Sequence, residues 1–378
     1  MVRSVSKLLI CTAIAAGALA TAAIAQPKGE PIKIGAILSL SGPGAGLGQP
    51  ERAGILLAEQ AINARGGING QPVKIIIEDD GSKPDIAKSK AERLVFDEKV
   101  VAMIGPSLTA STGAVSAITN AEGLAQITFT GLGPKIELTY KSLYHVLPPQ
   151  ELNARAMLEY TTKALKAKRI GVLHDTGYGQ VVLNSLNALH DKYGVEFTAV
   201  EKFEVGATDV SAQAAKVRAA NPEVVFVIAT SPVPFRNARQ VKIEQPIVSA
   251  IGSASYDYIR GIGEFADDIV FPEFVVGEDP KPEQKEFVAA FQKAYNALPK
   301  NFEAAGWDSA QILASGIAKA GGAKATPKEI AAAIRGVHQG AMAKYDFSRD
   351  DMTGIELSSY VFSKVVKGKF ERLPFVAK

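Results

Sequence analysis

The stretch Ile32-Lys33-Ile34-Gly35-Ala36-Ile37-Leu38, followed by Ser39-Leu40-Ser41-Gly42-Pro43-Gly44-Ala45-Gly46-Leu47-Gly48-Gln49-Pro50, decides how this chain is read. A short, almost continuous apolar run of this kind is a strand buried on both faces. Helical spacing from Glu51 to Ala64 follows the glycine-rich turn. The same succession recurs. Val73 to Glu78 is a strand with a helix from Pro84 to Asp97, Val101 to Ile104 a strand with a helix from Ser111 to Glu122, and Ala125 to Thr130 a fourth strand. Strands that alternate with helices predict a parallel sheet covered on both faces.

The pattern pauses at Leu143 to Gln150, where Pro148-Pro149 forbids a helix, and then restarts. Arg169 to Leu173, Val195 to Lys202, Val224 to Ala229 and Ile247 to Ala250 are the strands of a second series, with helices at Tyr178 to Lys192 and Asp209 to Ala219. Two series predict two α/β lobes, each a doubly wound parallel sheet. After Ile269 to Phe274 come helices at Glu283 to Leu298, Ala304 to Ala320 and Pro327 to Gly336, with no strands of their own. They are expected to pack back on the first lobe. A final strand pair lies around Leu357 to Val365 and Phe370 to Pro374.

Residues 1–25 read as a secretory signal. Arg3 and Lys7 precede the apolar run Leu8 to Ala22, and Ala23-Ile24-Ala25 is a small-x-small cleavage site before Gln26. Cleavage after Ala25 predicts a periplasmic protein of 353 residues without its sole cysteine, Cys11, and with a net charge of about +1. That balance offers no field for nucleic acid or a membrane surface. No later apolar segment is long enough to span a bilayer, so no membrane insertion is expected.

The residues do not assemble an active site. Gly42, Gly44, Gly46 and Gly48 sit where a dinucleotide fingerprint would, but the third glycine of that spacing is Leu47. They read instead as a loop whose backbone approaches a neighbour closely. The histidines 145, 174, 190 and 338 lack metal spacing, and no cofactor or metal is expected. Glu78-Asp79-Asp80 closes a strand and reads as a solvated or capping acidic run. His174-Asp175 with Ser253 has no Gly-x-Ser-x-Gly elbow to make a hydrolase triad, so the chain is expected not to be an enzyme.

Several segments together resemble the leucine/isoleucine/valine-binding protein family. They are Ile34-Gly35 with Leu40-Ser41-Gly42-Pro43, Ile62 to Gly70, Ile104-Gly105-Pro106-Ser107, Gly171 to Gly179, and Phe203 with Thr208-Asp209. The resemblance covers essentially all of the mature region. It implies the type I periplasmic binding fold, in which two lobes joined by a three-strand hinge close on a ligand. It also implies delivery to the permease subunits of an ABC importer, and a monomer is expected. Lobe 1 would be 27–147 plus 275–344, and lobe 2 would be 148–274 plus 345–378.

Carried over position by position, the family's contacts fall on Leu47, on Ser107, Leu108 and Thr109 before a helix, and on Thr130, Gly131 and Leu132 after the fourth strand. Second-lobe contacts fall on Tyr178, poised as a lid, on Thr230 and Ser231, and on Ile251 and Ser253. A helix start and a hydroxyl such as that of Thr109 suit a carboxylate, the alternative being that Thr109 and Ser111 only cap their own helix. The family's amino-acid binders hold the ammonium with an acidic residue where this chain has Ile251, and Ser249 to Ser255 contains no Asp or Glu. An unpaired buried ammonium is costly. The expected ligand is therefore a small organic acid with an apolar or aromatic body, and the run Ser41 to Pro50 resembles the aromatic and keto-acid binders of the family. The competing readings are a branched-chain or other amino acid as ligand, and a ligand-sensing receptor in place of transport.

Overall fold

The computed structural model describes residues 26–132, 139–350 and 352–378, so the predicted signal segment lies outside the described residues. Two sheets build two lobes. The first contains β1 (Ile32–Leu38), β2 (Val73–Asp79), β3 (Ala102–Ile104), β4 (Ala125–Thr128) and β5 (Leu143–His145), all parallel, in the order β2-β1-β3-β4-β5. The helices between them are α1 (Ala45–Ala64), α2 (Pro84–Glu92) and α3 (Thr109–Glu122). Alternation along β1 sends Ile34, Ala36 and Leu38 into the core shared with α1, and Ile37 into a second core with Ala87, Ala91 and Val115 of α2 and α3. One apolar run thus serves two faces, which is why it lacks the alternation of a half-exposed strand.

The second lobe begins with α4 (Gln150–Glu159). Then come β6 (Arg169–Asp175), α5 (Tyr178–Tyr193), β7 (Glu196–Phe203), α6 (Ser211–Ala219), β8 (Val224–Ile228), α7 (Val233–Gln240), β9 (Ile247–Val248), α8 (Tyr256–Ile262) and β10 (Val270–Glu273). Three helices follow, α9 (Lys285–Tyr295), α10 (Asn301–Ala320) and α11 (Pro327–Ile334), then the ribbon of β11 (Val337–Gln339) and β12 (Lys344–Asp346). The last strands, β13 (Val361–Val366) and β14 (Lys369–Leu373), return to the second sheet, whose order is β14-β13-β10-β9-β8-β6-β7. β13 runs antiparallel to β10, so this sheet is mixed at that edge rather than wholly parallel. β13 and β14 are in turn an antiparallel hairpin closed by Lys367-Gly368, with positive φ at both residues.

Helix α10 packs along α1 on the first lobe. The two backbones meet at paired glycines: a Cβ on Gly54 would lie 1.9 Å from Glu303 O, and one on Gly306 would lie 2.1 Å from Glu51 O. Neither position admits a side chain, and their reciprocity fixes where α10 crosses α1. Helix α1 also starts earlier than the sequence spacing predicts, at Ala45, and runs through Pro50. The early turns are pinned from outside the helix. Gln49 Nε2 donates to Leu40 O at 2.7 Å, and Gly48 lies so close to Ser39 that a Cβ would sit 2.3 Å from its carbonyl oxygen.

Candidate functional site

The sequence after β1 folds into the first wall of an interlobe cleft of about 1940 Å³. Its glycine loop is held by the acidic run that closes β2. Asp79 Oδ1 accepts from the N–H groups of Leu40 (2.9 Å), Ser41 (3.2 Å) and Gly81 (2.8 Å), and Asp79 Oδ2 accepts from the Ser41 hydroxyl (2.6 Å). Asp80 Oδ1 accepts from the Ser39 hydroxyl at 2.8 Å and from Ser82 N at 2.7 Å. Glu78 faces Lys90 and Arg93. These carboxylates are structural, and the loop they shape brings Leu47 and Pro50 to the cleft.

Helix α3 contributes the polar end. Leu108 is its N-cap, and no side chain caps it. Thr109 is therefore not spent on its own helix: its Oγ1 lies 2.6 Å from Thr130 Oγ1, on the loop after β4. Both hydroxyls line the cleft with Leu108 and Gly131. A second pair, Thr112 and Thr128, sits buried below them at 3.0 Å. The first N–H groups of an uncapped helix and two hydroxyls on one wall form a donor set suited to an oxyanion.

Ser107 also lines the cleft, but its hydroxyl is engaged behind the wall. It accepts from Ser39 N–H at 3.1 Å and lies 2.5 Å from Oε2 of Glu51, on α1. Glu51 is 1% exposed and borders the cleft, and its Oε1 has no hydrogen-bond partner. Burial pushes the Glu51 carboxyl up to about 8, against the pull of the Ser107 hydrogen bond and with a further push from Asp80. Sequence reasoning passed over Glu51 because it reads as one more polar residue at the start of an amphipathic helix.

The second lobe supplies the opposite wall. Asp175, at the end of β6, accepts from Gly177 N (3.0 Å) and Gly179 N (2.7 Å) through Oδ1, and from Thr230 N (2.6 Å) and the Thr230 hydroxyl (2.9 Å) through Oδ2. It ties the start of α5 to the end of β8, so no hydrolase triad forms with His174 and Ser253. His174 Nδ1 lies 3.0 Å from Asp175 O, and the Ser253 hydroxyl donates to Ala229 O at 2.9 Å. Tyr178 is anchored: its hydroxyl accepts from Gly252 N at 3.2 Å and from Asn153 Nδ2 at 3.3 Å, and burial pushes it up to about 12. The ring is a fixed part of the wall in this state rather than a raised lid.

Of the residues singled out from the sequence, Leu47, Ser107, Leu108, Thr109, Thr130 and Gly131 line the cleft from the first lobe, and Tyr178, Thr230 and Ile251 line it from the second. Leu132, Ser231 and Ser253 do not line it. Ser253 turns inward to Ala229, and the Ser231 carbonyl accepts from Tyr258 at 2.6 Å. Arg155 on α4 is a cleft-lining cation that the sequence reading did not reach, and among the described residues it has no hydrogen-bond or ion-pair partner. Lys300 borders the cleft too, but its ammonium is taken up by Glu273. Among the described residues no cluster of His, Cys, Asp and Glu could hold a metal ion, and no helix is long and apolar enough to cross a membrane.

The fold is matched across known proteins. Residues 31–369 match the periplasmic binding protein family. The chain belongs to that family. Among curated relatives, an amino acid binding protein of Pseudomonas aeruginosa is 29% identical over 347 residues, covering 88% of this chain and 90% of its own. The leucine-, isoleucine-, valine-, threonine-, and alanine-binding protein of the same organism is 27% identical, covering 85% and 86%. A branched-chain amino acid transporter substrate binding protein from Streptococcus pneumoniae, solved with isoleucine, superposes with a TM-score of 0.81 at 24% identity, covering 90% of this chain and 98% of that one. A solute binding protein of an ABC transporter from Rhodopseudomonas palustris, solved with benzoate, gives 0.80 at 20% identity, covering 91% and 96%. The last two likenesses show the fold. This periplasmic binding protein is thus similar to Leu/Ile/Val-binding proteins, solute-binding proteins and not enzymes.

Proposed function

We propose that this protein is the periplasmic substrate-binding component of an ABC importer and that it captures a small organic acid with an apolar or aromatic body. The observation that carries the reading is the Thr109–Thr130 hydroxyl pair at the uncapped start of α3; Ile251, on the opposite wall, takes the position where the family resemblance puts the acidic residue of the amino-acid binders. The acid group rests on the hydroxyls and N–H groups, and the body on Leu47, Leu108, Tyr178 and Ile251. The cleft volume exceeds the roughly 300–1,000 Å³ of ordinary ligand pockets, which supports a hinge that closes on the ligand. The lobes proposed are 27–147 with 275–344 and 148–274 with 345–378, in a monomer exported by cleavage after Ala25.

A second reading, uptake of a branched-chain or other amino acid, is favoured by what the Pseudomonas relatives are named for. Thermal shift with benzoate, phenylglyoxylate, leucine, valine and alanine separates the two, because only a bound ligand raises the melting temperature. Stabilisation by the aromatic and keto acids alone is the expected result. Stabilisation by leucine or valine alone would overturn the organic-acid reading.

A further inference from the structure

Counting donors around Ser107 gives its hydroxyl two possible roles. A serine hydroxyl has one hydrogen to give and two lone pairs to receive with. One lone pair is occupied by Ser39 N–H, a donor that cannot reverse. Glu51 Oε2 is at 2.5 Å on a second side, and the cleft is on a third. If Glu51 is ionised it can only accept, so the hydrogen of Ser107 is drawn to it and the cleft meets an oxygen lone pair. A carboxylate placed there would face a lone pair and, behind it, a buried anion. If Glu51 carries a proton, its O–H donates to Ser107 and the Ser107 hydrogen is released to point into the cleft.

We propose that Glu51 is a proton switch behind Ser107, so that this protein captures a carboxylate together with one proton held on Glu51. The inference rests on reading this cleft as a carboxylate site and deepens it by naming what makes Ser107 a donor. Glu51 touches Ser107 and acts through it, as a positioning residue. Its surroundings favour the neutral form. The loop after β2 brings Asp80, whose charge pushes the same way as burial, and α10 approaches with backbone at Gly306, while its carboxyls Glu303 and Asp308 are engaged elsewhere, at the Lys300 N–H and at Ala341, Met342 and Tyr345. Helix α9 brings Tyr295, whose hydroxyl donates to Ala53 O at 3.0 Å. On α1 itself Arg52 is exposed, and the β1–α1 and β3–α3 loops carry no ionisable side chain. Among the described residues no cation is paired with Glu51. The unpartnered Oε1 would leave a bare negative oxygen beside the cleft in the ionised form.

The test has a ligand-free arm and a ligand arm. In the empty protein, difference infrared spectra between about pH 6.5 and pH 9 should show a protonated-carboxyl C=O band that disappears with a midpoint near 8 and is absent from Glu51→Gln. In the ligand arm, benzoate and leucine, both carboxylates, are titrated by calorimetry. With a midpoint near 8, the Kd of whichever binds should rise about tenfold between pH 7 and pH 9. Glu51→Gln, whose amide can donate to Ser107 permanently, should bind with a flat profile, and Ser107→Ala should bind weakly at every pH. Binding of leucine alone with this profile would overturn the organic-acid reading and leave the switch standing. A flat wild-type profile, an unflattened Glu51→Gln profile, or no carboxyl band in the empty protein would each overturn the switch. If neither probe binds, the infrared band alone decides.

Discussion

The ammonium of Lys300 is buried against the carboxylate of Glu273, at 2% and 0% side-chain exposure. Lys300 is the N-cap of α10, which packs on the first lobe, while Glu273 ends β10 in the second sheet. Around them, the Ser363 hydroxyl donates to Glu273 and the Lys300 ammonium lies 3.5 Å from the centre of the Phe370 ring. Burial raises the Glu273 carboxyl and lowers the Lys300 ammonium, and each is held back by the other's charge. The pair joins the start of α10, on the first lobe, to the end of β10, in the second sheet.

Removing one partner leaves the other as a buried unpaired charge, whereas removing both does not. Lys300→Met should cost about 3–5 kcal/mol in urea unfolding, and Lys300→Met with Glu273→Gln should recover most of that loss. A loss under about 1 kcal/mol for the single variant would mean that the charge is not desolvated.

Thr109 and Thr130 are expected to recognise charge and not shape. A hydrogen bond to a charged group is worth roughly 1.5–3 kcal/mol, so Thr109→Ala should weaken benzoate binding about ten- to a hundredfold. Binding of the neutral benzamide should change far less. If the variant keeps the full acid-over-amide ratio in calorimetry, the anion lies elsewhere in the cleft, and Arg155 is the next place to substitute.

Tyr178 should separate wall from anchor. Tyr178→Phe removes the acceptor for Gly252 N–H and Asn153 but keeps the ring, and should cost stability by about 1 kcal/mol. Tyr178→Ala and Leu47→Ser should instead reduce affinity for aromatic acids more than for short aliphatic ones, through lost apolar contact. Equal losses for acetate and benzoate would show that neither side chain touches the ligand's body.

Asp308 gives a pH dependence of stability. It is buried on α10 and accepts from Ala341 N (2.6 Å), Met342 N (2.8 Å) and the Tyr345 hydroxyl (2.7 Å). Burial nevertheless pushes it up to about 6. The native state then holds a proton that the unfolded chain has released, and this contribution is full below about 3.8 and lost as pH rises through about 6. The difference in unfolding free energy between wild type and Asp308→Asn should therefore shrink over that window. A difference that widens with pH would mean the hydrogen bonds outweigh burial.

Hinge closure should be visible in solution. With saturating benzoate, small-angle scattering should give a smaller radius of gyration than the empty protein, because only the closed form touches the ligand from both lobes. An identical profile with bound ligand confirmed by calorimetry would argue against closure.

The two-lobed α/β architecture was legible in the residues because each strand buried on both faces must be continuously apolar, as Ile34 to Leu38 and Val224 to Ile228 are. The pause at Pro148-Pro149 separates strands of the first sheet from those of the second, and the strandless helices after Phe274 include α10, which packs on α1. That first-lobe residues such as Leu108, Thr109 and Thr130 would line the cleft was legible too, since a helix start after a parallel strand leaves N–H groups toward the strand ends. What sequence alone did not decide is what each polar side chain spends its hydrogen bonds on. Ser253 and Ser231 have the right residue type, yet one turns to Ala229 and the other offers its carbonyl to Tyr258. Glu51, Lys300 and Arg155 look like surface charges in an amphipathic pattern. Only the close approach of α1 to α10 at Gly54 and Gly306, and the folding of β10 against Lys300, removed water from the first two. Burial is set by contacts distant in the chain, and burial determines whether a carboxyl is an anion, a salt-bridge partner or a proton store.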